Sequence, residues 1–247
     1  MSLAFKVFAL SDLGLHRAGN EDSGLISPKV IAVADGMGGH AGGEVASRIA
    51  INSLVESSSS ADAILKVTND INNKIVEKSA AQPDLAGMGT TLTALQINGD
   101  VAELLHVGDS RCYAFTGGKL SQLSQDHTVM QELIDQGRIT PEEAINHPQR
   151  SLLTKALMGD SQVNPVLQLY PIKLGDQFLL CSDGLTSVLS DLEISKILKK
   201  SNGQNLVEEL VSETKAKGAP DNVTVIWAEV VNAQEASSTA LIGAANG

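Results

Sequence analysis

The apolar run at residues 30–34 leads into a single acid, Asp35, and then into five glycines within eight residues before helix-like sequence resumes at Glu44. Glycine costs backbone entropy and offers no side chain to pack, so a chain concentrates it where backbone must come close to something. Three further acids share the arrangement. LLHVGDSR runs an apolar strand into Asp109, FLLCSDG runs one into Asp183, and in GAPDNVTVI Asp221 stands just before a strand. One Asp beside Gly, Ser or Asn is an ordinary turn. Four of them on strands that should be buried set a harder condition. Carboxylates gathered at one end of a sandwich repel strongly at low dielectric unless a cation sits among them. The donors are all oxygen, with no Cys or His in the set, which favours Mg²⁺ or Mn²⁺ over zinc.

Strands are expected at 5–10, 30–34, 91–97, 101–107, 111–116, 177–182 and 223–231, where Val, Ile and Leu dominate or alternate with polar residues. INGD after Gln96 and TGGK near Gly117 have the composition of hairpin turns, so 91–120 reads as an antiparallel meander. Helices are expected at 44–55, 61–78, 126–136, 141–146 and 205–217, and in the second of these Ile64, Thr68, Ile71 and Ile75 fall on one stripe. TPEE puts Thr140 at an N-cap with proline at the first helical position. Strands broken by helix pairs indicate an α+β sandwich. ESSSS at 56–60 reads as a linker between two helices. A folded region at 1–231 would be followed by a small-residue, polar tail or linker at 232–247.

The chain has 247 residues, of which 43% are apolar, enough to bury the core of one large domain. Its net charge of −11 argues against nucleic acid or an anionic membrane as a partner, since both need a basic surface. Cys112 and Cys181 form no CxxC and each lies in an apolar run, as buried reduced thiols do. Neither a secretory leader nor an apolar run of about 18 residues is visible. A cytoplasmic, monomeric protein is expected.

Eight segments then carry a family likeness: SDLGLHRAGNEDS (11–23), VADGMGGHAGGEVAS (33–47), GMGTTLTAL (87–95), HVGDSR (106–111), LSQDHT (123–128), HPQRSLLTKALMG (147–159), LLCSDGL (179–185) and DNVTVI (221–226). In this order they resemble the metal-dependent protein serine/threonine phosphatases of type 2C (PPM), in their bacterial branch, over nearly the whole chain to about Val231. The resemblance implies a four-layer αββα sandwich, two antiparallel sheets with helix pairs on the outer faces and metals at one end. It implies that Asp35 bridges two core Mn²⁺ or Mg²⁺ ions, that the Gly36 carbonyl binds the second, and that Asp183 and Asp221 hold the first. Asp109, with Asp183, would hold a third, weaker ion, with Ser151 nearby. Asn222 would orient Asp221 or cap its turn.

Arg17 would clamp the substrate phosphate, because a guanidinium fork matches two phosphate oxygens. Glu21 and Asp22 would stand behind the metals or the Arg17 loop, and the GTT at 89–91 would pack near the metal-bearing turns. In the eukaryotic branch a His directly follows the Asp-Gly; here that place holds Met37, and His40 on the same loop takes the expected role of general acid, with loop packing as its other reading. Residues 136–160 would form the flap beside the site. The implied chemistry is hydrolysis of phosphoserine and phosphothreonine in proteins by a metal-activated water, without a covalent phosphoenzyme, opposing bacterial Ser/Thr kinases. Such a chain could also be the cytoplasmic part of a membrane-attached protein. Two alternatives stay open: a catalytically weak member that only binds phosphoproteins, and a two-metal phosphatase acting on small phosphorylated metabolites.

Overall fold

The computed structural model describes residues 2–38, 42–57, 61–145, 147–159, 163, 165 and 167–247. Alternation along its strands decides the layering. In the strand Val30–Met37, Ile31 and Val33 enter one apolar cluster while Val30, Ala32 and Ala34 enter another. In Val223–Asn232, Ile226, Ala228 and Val230 share the first cluster, and Val223, Val225 and Trp227 build a third. A strand that is apolar on both faces must be covered on both. Two sheets back to back with helices outside satisfy this.

In chain order the strands are β1 (Leu3–Asp12), β2 (Asp22–Ile26), β3 (Val30–Met37), β4 (Gly89–Thr90), β5 (Leu92–Asn98), β6 (Val101–Val107), β7 (Arg111–Thr116), β8 (Lys119–Gln122), β9 (Gln168–Pro171), β10 (Gln177–Cys181), β11 (Val223–Asn232) and β12 (Ala240–Gly243). The helices are α1 (Gly42–Ser57), α2 (Ala61–Ala81), α3 (Val129–Asp135), α4 (Pro141–Ile145), α5 (Asp183–Thr186), α6 (Asp191–Leu198) and α7 (Gly203–Ala216). One sheet has the order β1-β11-β10-β7-β8; the other has β12-β2-β3-β5-β6-β9, with β4 paired to β3. Neighbouring strands are antiparallel throughout. Helices α1 and α2 cover the second sheet through Ile51, Leu54, Ile64, Ile71 and Ile75. Helices α5 to α7 cover the first through Leu185, Ile194, Leu206 and Leu210. Phe5, Ile31, Leu95, Leu104, Phe178 and Ile226 fill the space between the sheets. This is the expected αββα sandwich.

Local signals hold where their chemistry is complete. Thr140 and Glu143 cap α4 reciprocally, at 2.8 and 3.3 Å. Gly99, Gly117 and Gly118 turn the two hairpins at positive φ. The expected meander at 91–120 is not one unit, however. Strands β5 and β6 pair, and the turn after β6 carries the chain to the other sheet, where β7 pairs with β10 and β8. Helix α6 was not among the expected helices; Ser190 and Glu193 cap it with a Ser-x-x-Glu box.

Residues 232–247 are not a tail. Beyond β11 the chain crosses from one sheet to the other: Ala233 N–H donates to the Ser2 carbonyl at 3.0 Å, and Ser237 Oγ accepts Val7 N–H at 2.8 Å. Strand β12 then pairs with β2, and Ala245 is buried in the cluster beneath α1. The Ile242 side chain fills the place where a Cβ on Gly24 would stand, 2.7 Å away. The small residues that suggested a linker are the ones that fit this tight edge. Deleting residues 237–247 uncovers β2 and part of that cluster, so the melting temperature should fall by about 5–10 °C in calorimetry. An unchanged melting temperature would return the segment to the status of a tail.

Candidate metal centre

Strand β3 turns Ile31 and Val33 toward the other sheet, and the next residue on that face is Asp35. Asp22 of β2 is its cross-strand partner. Asp109 lies in the crossover from β6 to β7, Asp183 opens α5 directly after β10, and Asp221 immediately precedes the turn into β11. The structure brings the four candidate carboxylates to one cavity. They line one cavity of about 890 Å³ with Arg17, Glu21 and Gly36. The flap segment contributes Ser151, Leu152 and Met158 to the same cavity. His40 lies outside the described residues.

The backbone around Asp35 is gripped from several sides. Thr91 Oγ1 accepts the Asp35 N–H at 2.9 Å, while Thr91 N–H and Thr90 Oγ1 donate to its carbonyl at 2.9 and 3.0 Å. Thr91 Oγ1 also meets Ser110 Oγ at 2.8 Å, which ties the Asp35 turn to the Asp109 turn. The GTT segment therefore positions the acids. Asn222 does the same on the other side: it accepts Glu21 N–H at 2.8 Å and donates to the Leu13 and Gly19 carbonyls at 2.9 and 3.0 Å. Its own N–H donates to Asp221 Oδ1 at 2.8 Å. One amide thus fixes the Arg17 loop against the Asp221 turn. Glycine at 36 has a reason beyond metal approach. A Cβ there would stand 2.0 Å from the Gly43 carbonyl oxygen and 2.6 Å from that of Glu21, so three backbone segments cross at this point.

The buried His106 and the half-buried His127, given no catalytic part by the sequence, support the Asp109 turn. Their rings stack at 5.0 Å, and His127 Nδ1 accepts Gly108 N–H at 3.1 Å. His106 Nδ1 meets Thr93 Oγ1 and its Nε2 meets the Gln125 carbonyl, each at 2.9 Å. Burial lowers His106 to about 4.

The electrostatics are one-sided. Burial, then Asp22, Asp183, Asp109 and Asp221, push the Asp35 carboxyl well above the usual carboxylate range. Burial and Asp183 raise Asp109 to about 8. Burial raises Asp22 to about 7, against a short hydrogen bond of 2.7 Å from Ser182 Oγ. Burial and Asp221 raise Asp183. Arg17 places Nη2 2.7 Å from Asp221 Oδ2 and Nη1 3.8 Å from Glu21 Oε2. Its fork is engaged on the cavity wall and does not stand free over the cavity. Half-buried, mutually repelling oxygen donors fit a hard divalent cation. Among the described residues, no three Asp, Glu, His or Cys side chains converge tightly enough to define one ion position, so donors are assigned here without a coordination geometry.

Residues 19–213 match the family described as Protein phosphatase 2C. The chain belongs to that family. A relative within the protein phosphatase 2C family, the serine/threonine protein phosphatase PstP of Mycobacterium tuberculosis, is 43% identical over 238 residues, 94% of this chain and 46% of that protein. The chain therefore spans about half the length of that relative. The serine/threonine phosphatase stp of Listeria monocytogenes is 35% identical, over 89% of this chain and 93% of that protein. The crystal structure of the M. tuberculosis phosphatase matches with a TM-score of 0.88 at 42% identity, over 92% of this chain and 98% of that one. A PstP catalytic domain in complex with two manganese ions matches with a TM-score of 0.86 at 40% identity, over 94% of this chain and 100% of that one. This phosphatase 2C chain has, among its described residues, no helix long and apolar enough to cross a membrane.

Proposed function

We propose that this chain hydrolyses phosphoserine and phosphothreonine in proteins with two core Mn²⁺ or Mg²⁺ ions and a third, weaker one. The observation that carries the proposal is the meeting of Asp35, Asp109, Asp183 and Asp221 in one cavity with Arg17. Bound there, the ions would supply an activated water as nucleophile and offset phosphate charge. Asp35, the Gly36 carbonyl, Asp183 and Asp221 would hold the core ions, and Asp109 with Asp183 the third. Arg17 would exchange Asp221 for the substrate, placing its fork on two phosphate oxygens. His40 would protonate the departing serine or threonine oxygen. Phosphoproteins made by Ser/Thr kinases are the substrates in this reading, and the cytoplasm is the compartment that fits two buried free thiols, Cys112 and Cys181.

The test is metal removal. After EDTA treatment and desalting, turnover of a phosphothreonine peptide and of p-nitrophenyl phosphate should vanish, and Mn²⁺ should restore both. Full activity in the stripped protein would sink the proposal. A second expectation concerns Arg17. Because a clamp grips phosphate alike in ground and transition states, Arg17→Ala should raise KM for phosphopeptides more than it lowers kcat. The loss should be about 1.5–3 kcal/mol, that of a charged hydrogen bond. If steady-state kinetics leave KM unmoved, Arg17 serves only to brace Asp221 and Glu21.

A further inference from the structure

A smaller cavity of about 320 Å³ opens beside the first and shares Asp109, Ser151 and Asp183 with it. Helices α3 and α4 give it an apolar wall of Met130, Ile134, Pro141 and Ala144. Of its charges, Arg111 and Asp126 are matched to each other. Arg111 donates Nε to both Asp126 oxygens at 2.9 and 3.0 Å and Nη2 to Oδ2 at 2.7 Å. Its Nη1 donates to the Tyr113 hydroxyl at 3.1 Å, and Gln122 donates to Asp126 at 2.9 Å. Arg150, exposed, also lines this cavity.

We propose that this cavity receives an aliphatic side chain of the phosphoprotein, from a residue within two positions of the phosphorylated Ser or Thr. The inference rests on the phosphatase reading above. The two cavities share walls, and consecutive Cα atoms lie about 3.8 Å apart. A substrate that sets its phosphate among Asp35, Asp183 and Arg17 therefore lays a near neighbour over Asp109 and Ser151, at the mouth of the second cavity. An aliphatic side chain entering there meets the α3–α4 wall and leaves water behind. A charged one gives up its water to less gain, because Arg111 and Asp126 already satisfy each other and Asp109 and Asp183 are the metal donors of the reading above. Ile134 and Ala144 are thus specificity-determining positions that touch no metal candidate's carboxylate role.

The experiment uses the full chain with Mn²⁺ and phosphothreonine peptides in which each of the two positions on either side of the phosphothreonine is set in turn to Leu, Gly, Asp or Lys. Turnover of p-nitrophenyl phosphate, which has no flanking residue, is the reference. At one position kcat/KM should favour Leu over Asp and Lys by about tenfold. Ala144→Phe, which fills the cavity, should abolish that preference. Ile134→Glu should shift it toward Lys. Both should leave p-nitrophenyl phosphate turnover as it was. Equal kcat/KM across the peptides, or a Leu preference that neither variant moves, would overturn the proposal. An unmodified chain inactive on p-nitrophenyl phosphate with Mn²⁺ would instead overturn the phosphatase reading beneath it.

Discussion

Asp35→Asn should leave a folded protein whose turnover, at saturating Mn²⁺, is lower by about 10³-fold or more. Asparagine keeps the shape of the side chain, and the backbone contacts from Thr90 and Thr91 do not depend on the carboxylate. What it removes is the charge at the point where Asp22, Asp183, Asp109 and Asp221 all act. The same substitution should raise the melting temperature of the metal-free protein near neutral pH, because asparagine is neutral in both states whereas the Asp35 carboxyl, pushed up by burial and its acidic neighbours, must take up a proton on folding. Two measurements taken together separate a ligand from a structural residue. In thermal melts, the natural chain should gain stability from Mn²⁺ while the variant gains little. In steady-state assays, only the natural chain should turn over. A variant that keeps its activity, or that gains as much stability from Mn²⁺ as the natural chain, would remove Asp35 from the ligand set.

Stripping the metals should also make stability depend strongly on pH. Asp22 and Asp109 bind their protons more tightly in the folded chain, with values raised from 3.8 to about 7 and about 8. The stability they lend is complete below pH 4 and disappears as the pH climbs through these raised values. His106 works in the opposite direction: lowered from 6.5 to about 4, it withdraws stability as the pH falls through that interval. The two trends oppose each other between pH 4 and 6.5, so the clear window is pH 6.5 to about 8, where only the carboxyls titrate. Across it the melting temperature of the EDTA-treated protein should fall by about 5–10 °C. Saturating Mn²⁺ should flatten the profile by giving the ionised oxygens a counter-charge. A flat profile in the metal-free protein would mean that these carboxyls are well solvated, and the centre would lose its electrostatic rationale.

Much of the site could be read directly from the chain because strand alternation and turn chemistry are local. An apolar run that stops at Asp35 must put that acid at the end of a sheet, and VADG, HVGDSR, LLCSDGL and DNVTVI each declare one such end. The pattern of strands and helices alone indicated an α+β sandwich, and the four layers came from the family resemblance; in the structure their cause is that β3 and β11 carry apolar residues on both faces, which demands cover on both. Partner choice was harder. Nothing within 91–120 says that β6 and β7 belong to different sheets, since that depends on β10 arriving between β7 and β11. The end of the chain is not legible locally, because ALIG resembles a linker until Gly24 of β2 offers Ile242 a socket. Helix α6 could have been found from its capping box. The resemblance placed Thr91 and Asn222 beside the metal-bearing turns, but not their partners across the fold, and the bracing role of His106 had no signal, as each joins segments that only the tertiary fold brings together. The Arg17–Asp221 pair is of the same kind, spanning 204 positions in the chain.

The two sheets share the acids between them. Asp35 lies in β3 and Asp109 follows β6 in one sheet, while Asp183 follows β10 and Asp221 precedes β11 in the other. An ion gripped from both sides would act as a clasp across the sandwich, and the apolar filling would set how wide its jaws stand. Ligand distances around such an ion tolerate only about 0.2 Å. Leu104 and Ile226, in the filling, would thereby be calibrating elements for metal affinity. Trimming either by a methyl group would be registered first as weaker Mn²⁺ binding, with the protein still fully folded. The metal centre is in this sense a caliper for the spacing of the two sheets.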